Sequence, residues 1–177
     1  MSQRHEPKGS FDNFPTPPWA TRAVLENILS HIDLSIQSCL EPACGAGHMS
    51  KVLQEYFQSV KSSDLHNYGY GCSVDFMSGY YKENSYDWVI TNPPFKYAEK
   101  FILEAQSIAK VGVAVLVRTV FLESVGRYNR LFDVIPPSYV AQFSERVPMV
   151  KGRLDKKATT ATGYAWCIWE NEMVGET

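Results

Sequence analysis

Cysteine is scarce in this 177-residue chain. Cys39, Cys44, Cys72 and Cys167 form no C-x-x-C pair, and no histidine stands at metal-ligand spacing from any of them. That excludes a disulfide framework and a zinc site of the common spacings, and the four read as free thiols in a reducing cytoplasm. Long apolar runs are also missing. None approaches the ~18 residues a membrane-spanning helix needs, and the first residues lack the apolar core of a secretory signal. Neither a membrane nor a metal is therefore expected as a partner. Net charge is small, with 17 basic and 19 acidic side chains giving −2, so the total alone does not indicate a polyanion binder. No G-x-x-x-x-G-K-[ST] sequence occurs, which excludes a nucleotide triphosphate cradle of that type.

The composition is that of an ordinary globular protein, 45% hydrophobic and 20% charged. The length suits one domain. Residues 1–10 are polar and expected to be loose, with 11–177 as the folded domain, and "NEMVGET" is expected to fray. Charge is unevenly spread. Residues 96–157 carry 11 basic and 6 acidic side chains, whereas the segments on either side are acidic. A basic middle section attracts a polyanion locally even in an acidic chain.

Hydrophobic spacing sets out the elements. "TRAVLENILSHI" places Val24, Leu25, Ile28, Leu29 and Ile32 on one helical face, with Thr16 or Thr21 as the candidate cap. "QSCLE", "VKSSDL" and "SYDWVI" read as strands, and a short third element falls near "YGYGCSVDFM". "MSKVLQEYF" and "KYAEKFILEAQSIAK" read as helices, and "RYNRLFDVI" as a further one. "VGVAVLV" is apolar throughout, the pattern of a strand covered on both faces. "SYVAQFSERV" and "TGYAWCIWE" read as two closing strands joined by a basic loop. Strands alternating with helices imply a mostly parallel sheet, and the closing pair implies an antiparallel edge.

Two short stretches carry chemistry. "EPACGAG" lies between a strand and a helix, where Gly45 and Gly47 permit a tight turn and close ligand approach. Ser50 takes the third glycine place of G-x-G-x-x-G, so a glycine pair alone is equally a plain turn. Asp64, 17 residues past Gly47, stands at the end of the second strand, where a carboxylate accepts from ribose hydroxyls. Asp75 and Phe76 follow the third strand, an acceptor and a ring suited to an adenine. Together these outline a pocket for an adenosine-containing ligand.

The second stretch is "TNPPF", at residues 91–95. Pro93 and Pro94 remove two backbone donors and fix two φ angles. They form a stiff corner flanked by the Asn92 amide and the Phe95 ring.

These residues resemble the class I S-adenosylmethionine (SAM)-dependent methyltransferases. More narrowly, they resemble the amino-methyltransferases with a [DNS]-PP-[YFW] corner, and in particular small phage- and prophage-type DNA adenine-N6 methyltransferases. The match rests on "FPTPPWAT", "EPACGAG", Asp64, Asp75-Phe76 and "TNPPF", in that order, and extends over about residues 11–170. The resemblance implies an α/β fold: a single Rossmann-like domain with a mostly parallel seven-stranded sheet, an antiparallel C-terminal edge and helices on both faces.

The implied cofactor is SAM. Phe14, Thr16 and Pro17 would lie at its methionine end, Glu41 beside its ammonium, and Ala43, Cys44, Gly45 and Gly47 would give backbone to it. Asp64 would hold the ribose, and Asp75 and Phe76 the adenine. Asn92, Pro93, Pro94 and Phe95 would receive the target amine, Asn92 also bordering SAM. Glu41 stands where many relatives have aspartate.

The leading reading is methylation of the exocyclic N6 of adenine in DNA. Arg127, Arg130, Lys151, Arg153, Lys156 and Lys157 would contact phosphates. A separate target-recognition domain has no room, which leaves loops or a homodimer partner to supply specificity, or an enzyme with hardly any. The corner fits adenine in RNA or a protein glutamine amide equally well. A SAM-fold subunit without activity is the reading that degenerate motifs would have favoured.

Overall fold

The apolar run at residues 111–117 becomes the hub of the protein. A computed structural model describes residues 12–171; the loose start and the frayed end expected from the sequence lie outside the described residues. Five strands come first: β1 (Ser38–Glu41), β2 (Ser59–Asp64), β3 (Cys72–Ser73), β4 (Tyr86–Thr91) and β5 (Ala109–Arg118). β6 (Tyr139–Gln142) and β7 (Tyr164–Glu170) close the sheet, whose order is β3-β2-β1-β4-β5-β7-β6. β1 to β5 are mutually parallel, and β7 runs antiparallel to both β5 and β6.

Alternate residues of β5 serve two cores. Ala114 and Leu116 join the cluster under α1 (Pro18–Ala23) and α2 (His48–Leu53). Val113, Val115 and Val117 join the cluster under α3 (Ala98–Ile108). Each buried valine or leucine side chain stabilises the fold by ~1.5–3 kcal/mol relative to exposure. Trp88 and Trp166 fill the first core and Trp169 the second, whereas Trp19 is partly exposed and meets Phe143 edge-on.

Local details differ from the sequence reading. Neither threonine caps the first helix. Its N-cap is Pro17, whose side chain has no acceptor to offer, and Pro18 at N1 already has the helical φ and removes one of the N–H groups left over at the helix start. Thr21 is buried within the helix, and Thr16 is committed to Asn92. The helix continues as a π-turn at Val24–Ile28, so Ile32 lies beyond it. β3 is only two residues long. The element expected at "RYNRLFDVI" starts earlier, as α4 (Val125–Arg127), where the Ser124 hydroxyl accepts from Arg127 N at 3.3 Å, and runs into a π-turn at Tyr128–Phe132.

Candidate active site

The sheet order reverses between β1 and β4, and such a switch point opens a crevice at the carboxyl ends of the strands. Both chemical stretches leave the sheet there: "EPACGAG" begins at Glu41, the last residue of β1, and "TNPPF" at Thr91, the last of β4. A cleft of about 760 Å³ lies above them. Phe14, Thr16, Glu41, Ala43, Cys44, Gly45, Asp64, Asp75, Phe76, Asn92 and Pro94 all line it. Thus most of the side chains singled out in the sequence meet in one cavity.

Glu41 is the floor. It is 1% exposed, and burial pushes its carboxyl up to about 8. Ser50 Oγ donates to Glu41 Oε2 at 2.7 Å and is itself met by Ser62 Oγ at 2.7 Å. Thr91 Oγ1 donates weakly to Oε1 at 3.4 Å. A buried carboxyl held by hydroxyls, with no cation beside it among the described residues, is suited to receive one from the cleft.

The glycine turn is built by close approach. Gly47 has φ +84°, and an added Cβ would lie 2.6 Å from the Tyr70 ring. The turn is thus roofed by Tyr70, and Gly47 itself stays out of the cleft lining. Gly45 has φ +50°, and its N–H donates to Asp64 Oδ2 at 2.9 Å. Asp64 Oδ1 accepts from His66 N at 3.0 Å, so the carboxylate is fixed at the cleft wall by two backbone donors. Asp75 likewise accepts from Met77 N at 2.9 Å. Phe76 is almost fully buried against Phe101, with centroids 4.8 Å apart, and presents an edge of that cluster to the cleft.

The N-terminal segment crosses the corner. Asn92 Nδ2 donates to the Phe14 carbonyl at 2.9 Å and to Thr16 Oγ1 at 3.1 Å. A carbonyl only accepts, which identifies the nitrogen and leaves Asn92 Oδ1 as the open acceptor. Phe95 N donates to Asp12 Oδ2 at 2.7 Å, and the Phe14 and Phe95 rings pack at 5.3 Å. Pro93 is buried, while Pro94 O accepts from Tyr97 N and starts the turn into α3.

Some expected residues stand elsewhere. Pro17 caps α1 outside the cleft lining. Phe95, which would help receive the target amine, lies outside the cleft lining and already has the Arg118 guanidinium 3.6 Å from its ring centroid. Among the basic residues, Arg130 forms a double hydrogen bond to Glu99, at 2.9 and 3.0 Å, and Arg127 approaches the same carboxylate at 3.8 Å. Arg153 pairs with Asp155 at 3.2 Å. Lys156 and Lys157 are exposed, and Lys151 is half-buried. Their loop reaches the site: Gly152 N donates to Asn13 O at 2.8 Å.

Sequence reasoning missed Leu65, Met77, Lys96 and Lys100, which line the cleft, and Arg118. Lys96 and Lys100 follow the corner at helical spacing, a signal that was available. Arg118 ends an apolar strand, and nothing local marks it. His48 begins α2 and also lines the cleft; partial burial lowers its pKa. Among the described residues no cluster of metal ligands and no membrane-spanning helix occurs.

No protein-family model matches the chain, and neither does any curated protein. Solved structures do. A candidate RNA methyltransferase from Pyrococcus horikoshii superposes with a TM-score of 0.69 at 18% identity, over 96% of this chain and 92% of that one. The magnesium protoporphyrin IX methyltransferase of Synechocystis PCC 6803 with bound SAM gives 0.56 at 14%, over 86% and 79%. A modification subunit of a candidate type I restriction enzyme from Vibrio vulnificus YJ016 gives 0.61 at 17%, over 89% of this chain and 44% of that one. The chain has the Rossmann-like fold of SAM-dependent methyltransferases.

Proposed function

We propose that the protein is a SAM-dependent methyltransferase acting on the exocyclic N6 amine of adenine in DNA. The observation that carries this reading is the Asn92 side chain, whose nitrogen is tied back by Phe14 and Thr16 so that its oxygen is the open acceptor beside the cleft.

The cleft fits SAM in size and in donor set. Its volume lies within the usual range for small-molecule sites, ~300–1,000 Å³. Glu41 would hold the ammonium, the backbone of Ala43, Cys44 and Gly45 would border the methionine end with Phe14 and Thr16, and Asp64 would take the ribose. Asp75 and Phe76 would take the adenine. When bound, the cofactor supplies an electrophilic methyl group on a sulfonium.

The chain's own residues act on the amine. Asn92 Oδ1 and the Pro93 carbonyl accept its two N–H groups. These acceptors orient the nitrogen lone pair and stabilise the positive charge that develops there. The prolines hold the corner stiff, so no reorganisation is needed as charge appears. No strong general base is required, since the methylated nitrogen sheds a proton to water.

A base in duplex DNA must flip out to reach this corner, at a cost of a few kcal/mol. Lys156 and Lys157 on the loop that touches Asn13, with Lys96 and Lys100 at the cleft, supply exposed positive charge for the backbone.

The test is incubation with methyl-labelled SAM and separate pools of DNA, RNA and protein, followed by digestion and identification of the product. N6-methyladenine in the DNA pool is expected. Label in RNA or protein alone overturns the DNA assignment, and absence of SAM binding by calorimetry overturns the class.

A further inference from the structure

A second cavity, of about 420 Å³, opens beside the corner. Arg118 and Thr119 at the end of β5, Gln142 at the end of β6, Arg146 beyond it, and Thr162 and Tyr164 at the start of β7 line it. Arg118 belongs to this wall and also lies over Phe95, so the cavity and the corner share one side chain.

Arg118 and Arg146 differ from the other described arginines. Arg22, Arg127, Arg130 and Arg153 each have a carboxylate partner, whereas Arg118 forms no ion pair among the described residues and Arg146 donates to the Ala161 carbonyl. The Arg118 Nε is buried and has no hydrogen-bond partner. Its contacts are the rings of Phe95 at 3.6 Å and Phe14 at 5.9 Å, together with the Tyr164 hydroxyl, whose ionised form it favours against burial. Stacking on rings satisfies the face of a guanidinium but none of its N–H donors. An arginine held half-buried, with its Nε–H unpartnered, is arranged to bind a planar or tetrahedral oxyanion. The rest of the cavity agrees. Arg146 adds a second positive charge, Thr119, Gln142 and Thr162 add neutral polar groups, and Glu145 is the single acidic residue of the lining.

We infer that this cavity binds a phosphodiester of the nucleic-acid substrate next to the target base, with Arg118 as the ligand. The inference rests on the nucleic-acid reading above and names the subsite that reading lacks. Phosphate contacts fix register without reading sequence. One contact made by an arginine that also packs on the corner ties the position of the backbone to that of the base. Arg118 is therefore a positioning residue, and it acts where Arg127 and Arg130, already engaged by Glu99, do not.

The experiment measures binding, so it does not depend on turnover. Anisotropy of a fluorescein-labelled single-stranded deoxyoligonucleotide is followed over a range of salt for the wild type, Arg118→Gln and Arg118→Lys, with SAM affinity measured by calorimetry on the same samples. Arg118→Gln is expected to weaken oligonucleotide binding about tenfold and to lower the log–log salt slope by ~0.7, the value for one phosphate on a single strand. Arg118→Lys is expected to keep the slope, and SAM affinity is expected to be unchanged in both. An unchanged slope in Arg118→Gln, or no oligonucleotide binding by the wild type while SAM binds, overturns the subsite and leaves the methyltransferase standing. Arg118-dependent oligonucleotide binding without SAM binding overturns the methyltransferase and leaves the subsite. Should Arg118→Gln fail to fold, the wild-type Arg118 Nε–H resonance decides. It is expected to shift and gain protection from exchange as inorganic phosphate is added, and a resonance that ignores phosphate overturns the inference.

Discussion

Asn92 Nδ2 lies 2.9 Å from the carbonyl oxygen of Phe14, a residue 78 positions earlier in the chain. One amide therefore performs two tasks. Its nitrogen pins the N-terminal segment over the cleft, and its oxygen is left as an open acceptor beside it. Asn92→Ala is expected to lower turnover at least about 100-fold, the scale of losing one preorganised polar group at a reacting centre. SAM affinity is expected to weaken by no more than about 30-fold, from two lost hydrogen bonds of ~1 kcal/mol or less each. Labelled methyl transfer and calorimetry separate the two effects.

As the proposed partner of the cofactor's ammonium, Glu41 is expected to make cofactor binding depend on pH. Burial pushes its folded carboxyl up to about 8, well above its ordinary range. Folding therefore favours the protonated form. The stability this gives is fully present below the ordinary carboxylate range and is lost as pH rises toward about 8. An ammonium in the cleft selects the carboxylate instead, so binding expels a proton and SAM affinity rises as pH climbs toward about 8. Calorimetry in two buffers of different ionisation enthalpy is expected to show this release, and Glu41→Gln is expected to abolish both dependences.

Gly47 is constrained twice, by φ +84° and by Tyr70 at 2.6 Å from where a Cβ would stand. Gly47→Ala is expected to destabilise the fold by ~1–3 kcal/mol, the range for backbone strain. Combining it with Tyr70→Ala removes the clash but not the strained φ. The double variant is expected to cost less than the sum of the single ones in urea denaturation.

Glu99 holds two of the basic residues that the sequence suggests for phosphate contact. An exposed network of this kind adds at most ~1 kcal/mol to stability. Glu99→Gln is thus expected to leave urea denaturation nearly unchanged. It is expected to tighten non-specific DNA binding and steepen its salt dependence, because Arg130 is released while Arg127 stays bound to the Phe121 carbonyl.

Much of the fold was legible because its signals are local. The "VGVAVLV" run marks a doubly covered strand, and that strand is β5 with cores on both sides. The two chemical stretches announce themselves by glycine and proline, and both sit at the switch point. What escaped depends on partners distant in sequence. The sheet end that carries Arg118 meets Tyr164 only when β7 pairs with β5, so no window around Arg118 shows what it faces. Arg127 and Arg130 look like free charge until Glu99, from another element, is beside them. Phe95 looks like an open ring for the same reason.

The tether of Asn92 to Phe14 belongs to a set of very distant closures. Phe95 N is bound to Asp12 across 83 positions, and Trp166 Nε1 to Ala20 O across 146. The N-terminal segment is thus held at two separate places, by the β4 corner through Asn92 and Phe95 and by β7 through Trp166. Closing such long loops costs chain entropy before any contact offsets it. Phe14 and Thr16, which this segment brings to the cleft wall, therefore depend on contacts remote in sequence. A chain whose strands had paired before the segment docked would have a sheet with an incomplete cleft.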